Sequence, residues 1–183
     1  MITGIVCGAL ALLVIIAVLY FNKFTKFRNN IKSAWSDIDV QLKRRFDLVP
    51  NLVEVVKGYA THEKTLFENI SSTRSMALAP GNINESAQAN TLLTGQLRNL
   101  FAVVENYPNL LANENFIKLQ ENLVEIEDTL QMARRYYNAV VRDNNTAVQS
   151  FPGLVFAGIY GFKTAEFFET EPLEKEVIRV KLN

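Results

Sequence analysis

The chain has 183 residues, and its 19 basic and 19 acidic side chains leave a formal net charge of zero. That balance argues against a polyanionic partner, and no nucleic acid is expected to bind. One cysteine, Cys7, rules out an internal disulfide, and one histidine, His62, leaves little material for a metal centre or a nucleophile–base pair.

Ile2 to Phe21 carries no charge and is dominated by Ile, Leu, Val and Ala. A run of about 20 apolar residues is what a helix needs to cross the hydrocarbon core of a bilayer. No Lys or Arg precedes the run, and the small-x-small triplet Ala9-Leu10-Ala11 lies in its middle. An uncleaved anchor is therefore expected rather than a signal peptide. Val6 before Cys7 argues against a lipoprotein. The anchor residues are read as Ile2, Gly4, Gly8, Leu12, Ile16 and Phe21, with Gly4 and Gly8 forming a GxxxG pair that lets two membrane helices approach closely. Lys23, Lys26, Arg28 and Lys32 crowd behind the run. Positive charge close to the membrane stays cytoplasmic, so the expected topology is a single pass through the cell membrane, N-terminus outside and the remainder in the cytoplasm.

From Phe27 an apolar stripe runs Phe27, Ile31, Ala34, Ile38, Leu42, Arg45, Val49, Leu52, Val56, Tyr59 in steps of four and three, the period of a helix. Arg45 alone breaks it, and Phe46 beside it can take the place. The stripe keeps its phase across Pro50, which predicts a helix kinked or briefly interrupted there and running on to about Ala79; a reversal of direction at Pro50 is the alternative. Pro80-Gly81-Asn82 reads as a loop. A helix is expected from about Asn84 to Asn106, with Leu92, Leu93, Leu97, Leu100, Val103 and Val104 on its stripe, and a connector over Tyr107 to Leu111. The next helix, Asn113 to Ser150, sets Phe116, Leu119, Leu123, Ile126, Leu130, Ala133, Tyr137, Val140, Asn144, Ala147 and Phe151 on one coiled-coil-like seam.

Pro152-Gly153 stops that helix. Leu154 to Phe168 is apolar and aromatic, too short and glycine-interrupted for a second span, and is expected to fold back over one end of the bundle or lie at the membrane surface. Beyond Pro172 the tail alternates, with Ile178, Val180 and Leu182 apolar and Arg179 and Lys181 between them, a strand-like pattern without a partner strand. The organisation read from these elements is an anchor at 1–22, an all-α bundle at 23–170 and a tail at 171–183. Long amphipathic helices with short connectors favour antiparallel packing.

Asn22 through Ala77 resembles the LemA family, above all in Ser36-Asp37-Ile38-Asp39-Val40-Gln41-Leu42-Lys43-Arg44-Arg45-Phe46-Asp47-Leu48-Val49-Pro50-Asn51-Leu52-Val53-Glu54 and in Lys57-Gly58-Tyr59-Ala60-Thr61-His62-Glu63. Two further blocks carry the likeness: Glu105-Asn106-Tyr107-Pro108-Asn109-Leu110 with Ala112-Asn113-Glu114-Asn115-Phe116, and Ala133-Arg134-Arg135-Tyr136-Tyr137-Asn138-Ala139-Val140 leading to Phe151-Pro152 and Gly161-Phe162. The resemblance implies an N-terminal anchor followed by a long up-and-down four-helix bundle. It also implies a bacterial membrane protein without established enzymatic activity, with an accessory or scaffold role beside membrane-associated proteases. Where the family usually shows a second Tyr-Asn pair this chain has Asn144-Asn145, and a seam Asn can fix register or make a hydrogen-bonded contact.

His62-Glu63 invites comparison with the zinc signature His-Glu-x-x-His, but Leu66 stands where the second histidine belongs. No catalytic residue, metal ligand, cofactor or small-molecule substrate is assigned. Asp39 can meet Lys43 and Arg44 can meet Asp47 within helical reach, so ion pairs on a solvated face are the plain reading. The functional alternative is a protein-contact surface of Trp35, Asp39, Lys43, Arg44, Phe46 and Asp47, joined by the tail residues Ile178, Val180 and Leu182. The expected function is a non-enzymatic, membrane-anchored scaffold or adaptor. Its partners are the lipid bilayer and either a second copy of the chain or another membrane protein. A membrane-remodelling oligomer, and an enzyme subunit with an unrecognised carboxylate site, are the alternatives.

Overall fold

The structure, a computed structural model, describes residues 1–77 and 82–168. The expected all-α class is observed: among the described residues there are helices, turns and a closing irregular segment, and no strand. The helices are α1 (Ile2–Lys57), α2 (Lys64–Ala77), α3 (Ile83–Val104), α4 (Pro108–Leu111), α5 (Glu114–Gln149) and α6 (Gly153–Tyr160). They divide between two compact units. The first holds Met1–Ile38 and Met132–Phe167; the second holds Asp39–Gln131 together with Phe168, the last described residue. Residues 78–81 and 169–183, which include most of the Pro80-Gly81-Asn82 loop and the tail positions Ile178, Val180 and Leu182, lie outside the described residues.

Two expectations for the first helix are corrected. Helix α1 neither reverses nor breaks at Pro50, and it does not reach Ala79; it ends at Lys57, where Gly58 opens the turn to α2. The reason Pro50 is tolerated is visible one turn back. A proline has no N–H, so it strips the carbonyl four residues earlier of its helical partner. That carbonyl belongs to Phe46, and the Arg74 Nε of α2 donates to it at 2.7 Å. The same guanidinium lies 3.9 Å from the Asp47 carboxylate. A side chain from α2 thus supplies the hydrogen bond that Pro50 cannot.

The apolar stripes become the core. In the second unit Leu42, Val49, Leu52 and Val56 of α1 are buried, with Phe67 and Ile70 of α2, Leu93, Leu97 and Leu100 of α3, and Phe116, Leu123, Ile126 and Leu130 of α5. Burying each such side chain is worth about 1.5–3 kcal/mol. Helix α2 packs along α3. Leu92, expected on the α3 stripe, is exposed, and so is Phe151 at the end of the α5 seam. Local signals set the helix starts. Asn82 and Glu85 form a reciprocal capping box on α3. Asn113 Oδ1 accepts from the Phe116 N–H at the start of α5. Pro108, at the first position of α4, turns the expected connector into a helical turn.

In the first unit Phe24, Val148, Phe156 and Ala157 form a core, with Ile16, Ala17, Tyr20, Phe27, Ala147, Tyr160 and Phe162 packed against it. Helix α6 ends on Gly161, whose φ of 72° is left-handed and suits glycine.

Candidate membrane anchor and contact surfaces

Of the residues read as an anchor, Ile2, Gly4, Gly8 and Leu12 are exposed along the first turns of α1, and nothing lies within 4 Å of a Cβ placed on either glycine. The GxxxG face is therefore open. Ile16 is half-buried against the α6 core, and Phe21 makes edge contacts with Tyr160 and Phe162, at 5.2 and 6.0 Å between ring centroids. Aromatics gather where the apolar run ends: Tyr20 stacks on Phe156 at 5.1 Å, and Phe24 meets Phe162 at 5.2 Å. The cations that follow lie on these rings, Lys23 at 5.8 Å from the Tyr20 centroid and Arg28 at 5.6 Å from that of Phe162. Aromatic rings with basic neighbours at the end of an apolar helix are the composition of a membrane–water interface.

The residues read as a protein-contact surface separate. Asp39, Lys43, Arg44 and Asp47 are exposed in the second unit. Phe46 is not at the surface; it is buried in the core of that unit, because it shares the inward arc of α1 with Leu42 and Val49. Trp35 belongs to the first unit, half-buried with its ring edge-on to Tyr137 at 5.9 Å. The expected Arg44–Asp47 pairing is replaced: Arg44 donates to Gln41 Oε1 at 3.2 Å, and Asp47 faces Arg74.

Sequence reasoning gave Arg45's place to Phe46, yet both are buried. Arg45 is 1% exposed, the largest fully buried side chain among the described residues. Its guanidinium donates to Asn90 Oδ1 and, at 3.0 Å, to Thr94 Oγ1, and it pairs with the Glu127 carboxylate. Three helices, α1, α3 and α5, each send a polar side chain to this point. A buried charge is tolerable only when paired and hydrogen-bonded, so the cluster fixes how the three helices face one another. The available signal was Arg45 itself, in phase with the stripe, and Asn90, in phase with Ala87, Leu93 and Leu97. An open cleft of about 360 Å³ beside it is lined by Leu97, Phe101, Leu123, Val124 and Asp128 among others.

A second polar cluster holds the segment after α6. Asn145 Nδ2 donates to the Ala165 carbonyl at 2.9 Å while its Oδ1 accepts from the Ala165 N–H at 2.8 Å. Asn144 Nδ2 donates to the Lys163 carbonyl at 3.4 Å and to Asn145 Oδ1 at 3.1 Å. The Tyr137 hydroxyl donates to the Glu166 carbonyl at 2.9 Å. The irregular segment 162–167 has no helix or ladder of its own, and α5 side chains satisfy several of its backbone groups instead. The Asn144-Asn145 departure noted in the sequence is thus a clamp. Burial, and secondarily the Glu166 carboxylate, push the Tyr137 phenol above its ordinary value of 10.0.

His62 is exposed, and among the described residues no group of three or more His, Cys, Asp or Glu side chains converges as metal ligands would.

An uncharged apolar helix long enough to cross a bilayer, running without a break into a helical core, defines a membrane-associated, all-helical protein. The chain belongs to the LemA family, which it matches over residues 34–182. It is similar to the magnetosome protein MamQ 2 of Paramagnetospirillum magneticum, at 27% identity over 91% of this chain and 72% of that protein. It is also similar to the magnetosome protein MamQ of Magnetospirillum gryphiswaldense, at 24% identity over 83% of this chain and 65% of its relative. The protein LemA of Metamycoplasma hominis is 23% identical over 74% of this chain and 65% of its own length. None of these names is that of an enzyme.

Proposed function

We propose that the protein is a non-enzymatic, membrane-anchored scaffold: residues 1–22 span the cell membrane, 23–170 form an antiparallel four-helix bundle in the cytoplasm, and the 171–183 tail contributes to partner binding. The observation that carries this reading is the continuity of α1, 56 residues from Ile2 to Lys57. One helix is exposed and apolar at its start and core-forming at its end, so the apolar run is covalently continuous with the folded part of the chain. Tethering also raises the effective concentration of any weak contact the bundle makes, with a second copy or with another membrane protein such as a membrane protease. The exposed Asp39, Lys43, Arg44 and Asp47 are the surface assigned to that contact. The open Gly4–Gly8 face favours a second copy, the basis of a membrane-remodelling oligomer as the alternative.

Light scattering of the full chain in mild detergent, beside a version without residues 1–22, tests the scaffold. A discrete assembly that survives loss of the anchor assigns self-association to the bundle, whereas monomers in both forms refute self-association. For topology, a thiol placed near Asn183 in a Cys7→Ser background should resist an impermeant reagent on intact cells; labelling would refute the cytoplasmic assignment.

A further inference from the structure

Helix α6 has two faces. Gly153, Phe156 and Ala157 point inward, at the i, i+3, i+4 spacing of a helix face, and are buried. A Cβ on Gly153 would collide with the Ala147 carbonyl oxygen, so the backbones of α5 and α6 meet closely there. The other face carries Leu154, Val155 and Ile159, the last 70% exposed, and Phe151 just before the helix is 85% exposed. The eight residues contain no charge, and the Tyr160 hydroxyl is their only polar side-chain group. In water a contiguous apolar face of this kind would be anomalous.

Its position removes the anomaly. The Tyr160 hydroxyl donates to the Ala17 carbonyl of α1 at 3.0 Å. Ala17 lies within the apolar run, four residues before Phe21, which at 1.5 Å per residue is about 6 Å inside its end. Tyr20 and Phe156 stack at 5.1 Å. Wherever residues 17–21 of α1 sit in the bilayer, α6 sits beside them, and its outer face continues the exposed apolar surface of that run. The basic residues Lys23, Lys26 and Arg28 follow on α1, where headgroup phosphates would lie.

We propose that α6 is a second membrane contact: it lies in the leaflet crossed by residues 16–21 of α1 and inserts Phe151, Leu154, Val155 and Ile159 among phospholipid acyl chains. The inference rests on α1 being a membrane span. The two helices would then hold the first unit at the interface as one wedge, and the clamped segment 162–167 returns the chain along α5.

The test uses the full chain reconstituted in vesicles of phosphatidylcholine containing phosphatidylglycerol, in a Cys7→Ser background. A polarity-sensitive fluorophore is attached in turn at Leu13→Cys (in the span), at Leu154→Cys and Ile159→Cys (outer face of α6), and at Met132→Cys (an exposed site on α5). Bromine on the lipid acyl chains serves as quencher. The expected result is blue-shifted emission and quenching at Leu154→Cys and Ile159→Cys as strong as at Leu13→Cys, with none at Met132→Cys. Quenching at Leu13→Cys without quenching on α6 overturns the proposal and leaves the span standing. Protection of the α6 sites from both brominated lipid and aqueous iodide also overturns it, because protein then covers the face. Absence of quenching at Leu13→Cys as well removes the span and the proposal together.

Discussion

The two units solve the same problem, burying polar groups among helices, in opposite ways. The second unit joins helix to helix through side chains: Arg45 meets Asn90, Thr94 and Glu127, and Arg74 reaches the Phe46 carbonyl. The first unit joins helix to irregular backbone: Tyr137, Asn144 and Asn145 satisfy the carbonyls and an N–H of the segment after α6. Around that clamp its packing is aromatic, centred on Phe24 and Phe156. The difference follows from what each unit must hold. Regular helices satisfy their own backbone and need only a specified register, which a buried ion pair with hydrogen bonds can supply. A segment without secondary structure must have its peptide groups satisfied from outside.

This comparison can be broken by substitution, with unfolding of the full chain in detergent followed by denaturant. The largest effect is expected at Arg45→Met. It leaves Asn90 buried without its donor and Glu127 without its cation, and should lower stability by about 3–5 kcal/mol. A loss under about 1 kcal/mol would show that the cluster is not structural, since surface pairs contribute that little. Arg74→Met should cost about 1.5–3 kcal/mol, the range of a charged hydrogen bond. Combining it with Pro50→Ala should recover part of the loss, because the restored N–H can again serve the Phe46 carbonyl; a strictly additive double mutant would disprove the pairing.

In the first unit Gly153→Ala forces α6 away from the Ala147 carbonyl, for a cost of about 1–3 kcal/mol from overpacking. Helix propensity alone would favour alanine, so a stabilised variant would contradict the close approach. Tyr137→Phe should be the mildest, about 0.5–1.5 kcal/mol for one hydrogen bond. Its pH dependence has a definite sign. The folded state holds the Tyr137 proton more tightly than the unfolded chain, so its contribution is complete below the ordinary pKa of 10.0 and is lost as pH rises through the higher folded value. The alkaline fall in stability should therefore be shallower in Tyr137→Phe than in the parent.

Much of this was readable in advance where one residue type has one physical use. The uncharged run marked α1's apolar start, Asn113 stood near the start expected for α5, and the three–four spacing marked Leu42, Val49, Leu52 and Val56 as core. Phe46, expected both on the stripe and in a contact surface, is buried, and so is Arg45, because a stripe reports which side of a helix faces inward but not what waits there. The expected run to Ala79 overshoots the end of α1 at Lys57, because the three–four stripe continues in phase to Tyr59 and a period alone does not mark the turn at Gly58. Pro152-Gly153 marked the end of α5 but not which part of α1 the segment after it would meet.

The sequence by itself determined the helical class, the apolar N-terminal run and the family, since these depend on local periodicity, run length and residue strings that need no partner. Only the tertiary structure decided that α1 passes through Pro50, that Arg45 is buried, and that α6 lies against the end of the apolar run. Each of these depends on a donor, acceptor or surface supplied by residues far away in the chain, and local propensity carries no information about distant partners.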